Sequence, residues 1–157
     1  MKLLFKRASG LVALGAMAAF AGAAAAQSVT YQNTVKKVLD ERCSACHYSS
    51  KGAPTMADFQ KDKEAWTKKF KGPSLADYAS VMILVKGSDA GALMRRLDDG
   101  KNTKDGKPGN MYNYLGKDAK ERAERLDTMK KWVGSWSLKR RKELSDAELA
   151  AITAPEK

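Results

Sequence analysis

The stretch "ERCSACHYSS", residues 41–50, holds both cysteines of the chain and its only histidine. Cys43, Cys46 and His47 therefore concentrate all the soft metal-ligating and thiol chemistry in five positions. Whatever fold the chain adopts has to be built around that pentapeptide. A disulfide between Cys43 and Cys46 is one reading in an oxidising compartment. A dithiol redox site is another, but it requires a strand-to-helix setting, and no segment shows a convincing strand pattern. Structural zinc requires four ligands, and this cluster supplies at most three, with no further Cys or His to complete the set.

The remaining reading is covalent haem attachment through C-x-x-C-H. Thiols at i and i+3 lie one helical turn apart on the same face, which suits thioether formation with two vinyl groups. The adjacent imidazole of His47 is then the proximal iron ligand. This reading uses every Cys and His and leaves none over.

Export agrees with it. "MKLLFKRASGLVALGAMAAFAGAAAAQ" has a basic start (Lys2, Lys6, Arg7), a short apolar core from Leu11 to Phe20 and the small-residue site Ala24-Ala25-Ala26. Residues 1–26 read as a cleaved secretory signal peptide rather than a membrane anchor, because the apolar part is short and rich in Ala and Gly. No cysteine lies near the cut to take a lipid, and no later segment is apolar enough to span a bilayer. The mature chain is expected to be soluble and periplasmic, beginning at Gln27. Removing Lys2, Lys6 and Arg7 from the 29 basic residues leaves them outnumbering the 18 acidic ones by eight. Export takes nucleic acid away as a partner for that charge and leaves acidic protein surfaces or anionic membrane.

With the motif placed directly after a helix near the mature amino terminus, the chain resembles the class I c-type cytochromes. The resemblance spans roughly residues 30 to 136, and class II members carry the motif near the carboxyl end instead. It implies an all-α fold of four or five helices wrapped around one covalently attached haem c with its iron. It divides the chain into the signal peptide 1–26, a cytochrome domain 27–136 and a basic extension 137–157 with a short helix. It also implies that a proline carbonyl past the motif accepts a hydrogen bond from the proximal imidazole, and Pro54 is the nearest proline.

Periodicity supplies the helices. Tyr31, Val35, Val38 and Leu39 share one face of a first helix. Residues 56–72 interleave Phe59, Trp66 and Phe70 with lysines, which reads as an aromatic core stripe with a solvated basic face. Ser74 is the expected N-cap of the next helix, with Leu75, Tyr78, Met82 and Val85 inward. Leu93, Met94 and Leu97 mark a short helix. Residues 98–110, with three glycines and a proline, form a loop. Leu126, Met129 and Val133, flanked by Trp132 and Trp136, mark the last long helix, stopped by Gly134. Ser145 and Glu148 form a capping box for a short final helix.

One histidine excludes bis-histidine ligation from within the chain. Methionine, lysine, the terminal amine, water or a vacant site remain for the sixth position. Met82, Met94 and Met129 sit at helical spacing among apolar residues, where core packing is the default. Met56 follows Pro54 too closely to cross the haem. Met111 lies in the Gly- and Pro-rich loop before the final helix, where the class I family places its distal methionine, although Tyr112 rather than proline follows it. Met111 is thus the expected distal iron ligand, with Met94 next.

The function these features imply is a non-enzymatic one-electron carrier between redox proteins. Its partners would be acidic, met by the lysines of 61–71 or by Lys139, Arg140, Arg141 and Lys142. A dedicated subunit of a periplasmic dehydrogenase or reductase is one alternative, with the tail after Trp136 as its clamp. An open-site gas-binding or peroxidase-like haem protein is the other. The oligomeric state is not legible in the sequence.

Overall fold

The first helix begins where Thr30 and Asn33 cap one another: the Thr30 hydroxyl accepts the Asn33 amide, and the Asn33 side chain accepts the Thr30 amide. A π-helical turn, Tyr31–Val35, then runs into α1, Lys36–Arg42. The computed structural model describes residues 28–157, and the expected signal peptide 1–26 lies outside the described residues. Tyr31, Val35, Val38 and Leu39 are all buried, as their spacing predicts.

After α1 come α2 (Ser44–His47), α3 (Met56–Lys61), α4 (Lys63–Lys68), α5 (Tyr78–Val85), α6 (Ala92–Leu97), α7 (Ala119–Val133) and α8 (Asp146–Ala150). No strand occurs among the described residues. The all-α class holds, with more and shorter segments than the four or five helices anticipated. The run 56–72 shows why: Asp62 leaves helical geometry, and its side chain caps α4 by accepting the Ala65 amide at 2.9 Å. One anticipated helix is thereby cut into two.

Two inward faces differ from the periodicity reading. On α5 the buried residues are Val81, Leu84 and Val85, with Tyr78 and Met82 only half-buried. That helix starts later than Ser74, because Asp77 is its N-cap and accepts the Ser80 amide at 2.8 Å. Phe59 and Trp66 are half-buried, but Phe70 is 82% exposed and adopts φ +54°. The turn after α4 throws its ring outward.

The core joins the first helix to α7 and to the carboxyl-terminal tail. Trp132, Met129 and Val133 of α7 are fully buried, and the Tyr31 ring centroid lies 6.3 Å from that of Trp132. Gly134 takes φ +77° and ends α7. The segment 137–157 folds back over this same core, where Ile152 and Ala154 are fully buried. The Pro155 carbonyl accepts both the Tyr31 amide at 2.8 Å and the Trp132 indole N–H at 2.9 Å. The tail therefore staples the first helix to the last long one, and the capping box at Ser145 and Glu148 forms as expected. Among the described residues no helix is long and apolar enough to cross a membrane.

Candidate functional site

The attachment pentapeptide occupies α2 and the residue before it. Cys43 caps both neighbours, closing α1 through its amide to the Leu39 carbonyl at 2.9 Å and opening α2 through its carbonyl to the His47 amide at 2.9 Å. The two thiols are unpaired; Cys43 is half-buried and Cys46 exposed. Burial pushes the Cys43 thiol up to about 11, which Arg42 and Arg125 only partly offset. A reactive dithiol requires the opposite shift, toward an accessible thiolate.

His47 is held from one side by the segment 72–75. Three backbone bonds fasten that segment to the neighbourhood of α2: Gly72 N–H to the Cys46 carbonyl at 3.1 Å, Ser74 N–H to the Pro54 carbonyl at 2.8 Å, and Leu75 N–H to the His47 carbonyl at 2.7 Å. This clamp brings the Pro73 carbonyl 2.9 Å from His47 Nδ1. A carbonyl only accepts, so Nδ1 carries the proton and the Nε2 lone pair is left for a metal. The proline carbonyl expected from Pro54 thus comes from Pro73, which the clamp sets against the ring, while the Pro54 carbonyl accepts the Ser74 amide. Burial pushes the His47 ring toward its neutral form, opposed by the Pro73 bond and assisted by the positive charge of Arg96. Neutral imidazole is the ligating form.

Gly72 closes the cradle. A Cβ there would stand 2.1 Å from His47 Cε1 and 2.6 Å from Nδ1, so no side chain fits against the ring. Sequence reading gave Gly72 no role.

Met111 and Met94 fall in different environments. Met94 lies on α6 with no exposed surface. Met111 is half-buried in the loop ahead of a 3₁₀ turn, Tyr112–Leu115, and packs against the margin of the core. Its amide donates to the Arg96 carbonyl at 2.9 Å, and the Arg96 guanidinium donates to Asn110 Oδ1 at 3.0 Å. The residue expected as distal ligand is therefore anchored to α6, whose Arg96 is also near enough to bias His47.

Asp98, the C-cap of α6 and first residue of the loop 98–110, has no exposed surface. Burial pushes its carboxyl upward, but donors from the Asn102 side chain, the Trp136 indole and the Gly100 and Asn102 amides outweigh that and hold it below the usual carboxylate range.

Paired thiols one turn apart, a neutral imidazole with a free Nε2 and a glycine cradle against the ring fit a covalently attached haem. Set in a strandless helical fold, they define a c-type cytochrome. Residues 30–156 match the sequence profile of the PccH cytochrome c family. The solved structure of the monoheme cytochrome PccH from Geobacter sulfurreducens is similar over 82% of this chain and 98% of that one, at 41% identity and a TM-score of 0.73. No curated protein sequence matches the chain. The chain belongs to the PccH cytochrome c family, and it is a haem protein carrying one covalently bound haem c.

Proposed function

We propose that the protein is an exported one-electron carrier that shuttles between redox proteins in the periplasm. When bound, the haem supplies a reversible one-electron couple. Cys43 and Cys46 would anchor it through thioethers, and His47 and Met111 would ligate its iron. The observation that carries this reading is the imidazole held by Pro73 and packed on Gly72, with Nε2 left free for iron. That bond orients the ring and makes it a better donor to the metal. Met111 as the second iron ligand would favour the reduced state and raise the potential. With His47 and Met111 both ligating the iron, no position would remain for an exogenous substrate, which supports electron transfer over catalysis.

The docking side is the basic segment beside the clamp. Lys61, Lys63, Lys68 and Lys69 are exposed in the segment that leads to Phe70, Lys61 pairing with Asp58 and Lys68 with Glu64, and Lys71 donates to the Ala45 carbonyl at 3.0 Å, next to Cys46. An exposed aromatic ring amid positive charge suits an acidic redox partner with an apolar centre, met in fast and salt-sensitive encounters. Export rests on the leader 1–26.

The test is the visible and near-infrared spectrum of the purified protein and of Met111→Ala. Wild type is expected to show the weak near-infrared thioether-to-Fe(III) band and no carbon monoxide binding at neutral pH. Met111→Ala is expected to lose the band, drop in potential and bind carbon monoxide when reduced. A wild type that lacks the band and takes up carbon monoxide would establish the open-site alternative instead.

A further inference from the structure

Among the described residues, Asp98 is the only charged side chain in the buried class, at 0% exposure. A buried carboxylate is costly to desolvate, and among the described residues no Lys or Arg pairs with it, since Lys101 and Lys130 reach Asp99 instead. Its compensation consists of four donors. Oδ1 accepts the amides of Gly100 at 2.9 Å and Asn102 at 3.4 Å. Oδ2 accepts the Asn102 side chain at 2.8 Å and the Trp136 indole N–H at 2.9 Å.

The destinations of those bonds are informative. Three of them hold the first turn of the loop 98–110, and the fourth ties it to the segment that follows α7. The backbone of Asp98 closes the loop: its amide caps α6 on the Met94 carbonyl at 2.9 Å, and its carbonyl accepts the Gly109 amide at 2.8 Å. Gly109 lies so close to α6 that a Cβ there would stand 2.3 Å from the Arg95 and Arg96 carbonyl oxygens. Two residues later comes Met111. A carboxylate kept for core stability alone would be better replaced by an apolar side chain. Here it sets the path of one loop.

We propose that Asp98 is a positioning residue for the distal ligand: its buried carboxylate, with Trp136 and Asn102 as donors, holds the loop 98–110 closed and keeps Met111 on the iron. This rests on the reading of Met111 as the sixth ligand. Asp98 touches neither haem nor iron in this account and acts through the loop.

The test uses the full mature protein with haem. Asp98→Asn keeps the side-chain volume but turns one oxygen into an N–H₂ that faces N–H donors, removing about two of the four bonds. The ferric thioether band is expected to weaken, and the reduced protein to bind carbon monoxide at least about tenfold faster, as more frequent loop opening requires. In a guanidinium titration, the loss of the band is expected to move to lower denaturant by more than the loss of helical circular dichroism. Trp136→Phe and Asn102→Ala, each removing fewer donors, are expected to give smaller changes in the same direction, and they decide the question if Asp98→Asn does not mature. Unchanged band and carbon monoxide rate overturn the proposal, as do equal shifts of band loss and helix loss. A wild type without the band overturns the assignment of Met111 itself, a result distinguishable from wild-type behaviour in Asp98→Asn.

Discussion

Adding one methyl group at Gly72 is expected to damage the proximal side of the haem. Gly72 has no positive φ, so alanine is compatible with its backbone and the effect is steric. The new Cβ would stand 2.1 Å from His47 Cε1. Ordinary carbon contacts lie near 3.5–4.0 Å, so ring and segment have to part by roughly 1.5 Å. A movement of that size breaks the 2.9 Å bond from Nδ1 to Pro73. The lost hydrogen bond costs about 1 kcal/mol and the overpacking about 1–3 kcal/mol. Together they predict a loss of about 2–4 kcal/mol, or a fall in Tm of roughly 5–15 °C. The potential is expected to rise, because an imidazole without its carbonyl partner is a poorer donor and stabilises ferric iron less. Differential scanning calorimetry and protein-film voltammetry of the haem-loaded Gly72→Ala protein measure both effects. A variant that matures normally, melts within about 1 °C of wild type and keeps its potential would refute the reasoning.

Met94→Ala is expected to leave the near-infrared band in place while costing about 2–5 kcal/mol in denaturant unfolding, as truncation of a fully buried side chain does; loss of the band there would reassign the ligand. Intact mass after periplasmic expression is expected to show residues 1–26 removed and one haem added through Cys43 and Cys46, and a product with free thiols under haem-replete conditions would contradict that. Electron exchange with a carboxylate-coated electrode is expected to slow as salt rises from about 0.01 to about 0.5 M. Charge reversal at Lys68 and Lys69, compared with Arg140 and Arg141, locates the docking patch, and no effect from either pair would make these charges merely solubilising. Phe70→Gly is expected to slow the same exchange while leaving stability unchanged or higher, since glycine relieves φ +54° and little buried area is lost. A stability loss without a rate change would make Phe70 structural instead.

The helical class was legible because apolar spacing survives in short segments: Tyr31, Val35, Val38 and Leu39 pointed inward as read, and Ser145 with Glu148 capped α8. Faces were less legible where a cap moved the start of a helix. Asp77 rather than Ser74 opens α5, and the inward set becomes Val81, Leu84 and Val85. Phe70 shows the limit of periodicity at a helix end. One residue in the left-handed region reverses the direction of a side chain that spacing alone assigns to the core.

The haem chemistry lies in the sequence itself, because it depends on residue types at fixed short spacing. Two thiols one turn apart and an adjacent imidazole are local geometry, and a chain with one histidine cannot supply a second imidazole to the iron. What only the tertiary structure decided is what holds these groups. The carbonyl that fixes His47 belongs to Pro73, 26 residues away, and it is placed by bonds from Gly72, Ser74 and Leu75. The buried acid behind the Met111 loop finds its indole donor 38 residues further on. Every residue offers a carbonyl, and charged residues are common, so neither partner has a signature in the sequence. They are selected when the chain closes on itself, as where the Pro155 carbonyl accepts both the Tyr31 amide and the Trp132 indole and brings the first helix and α7 together.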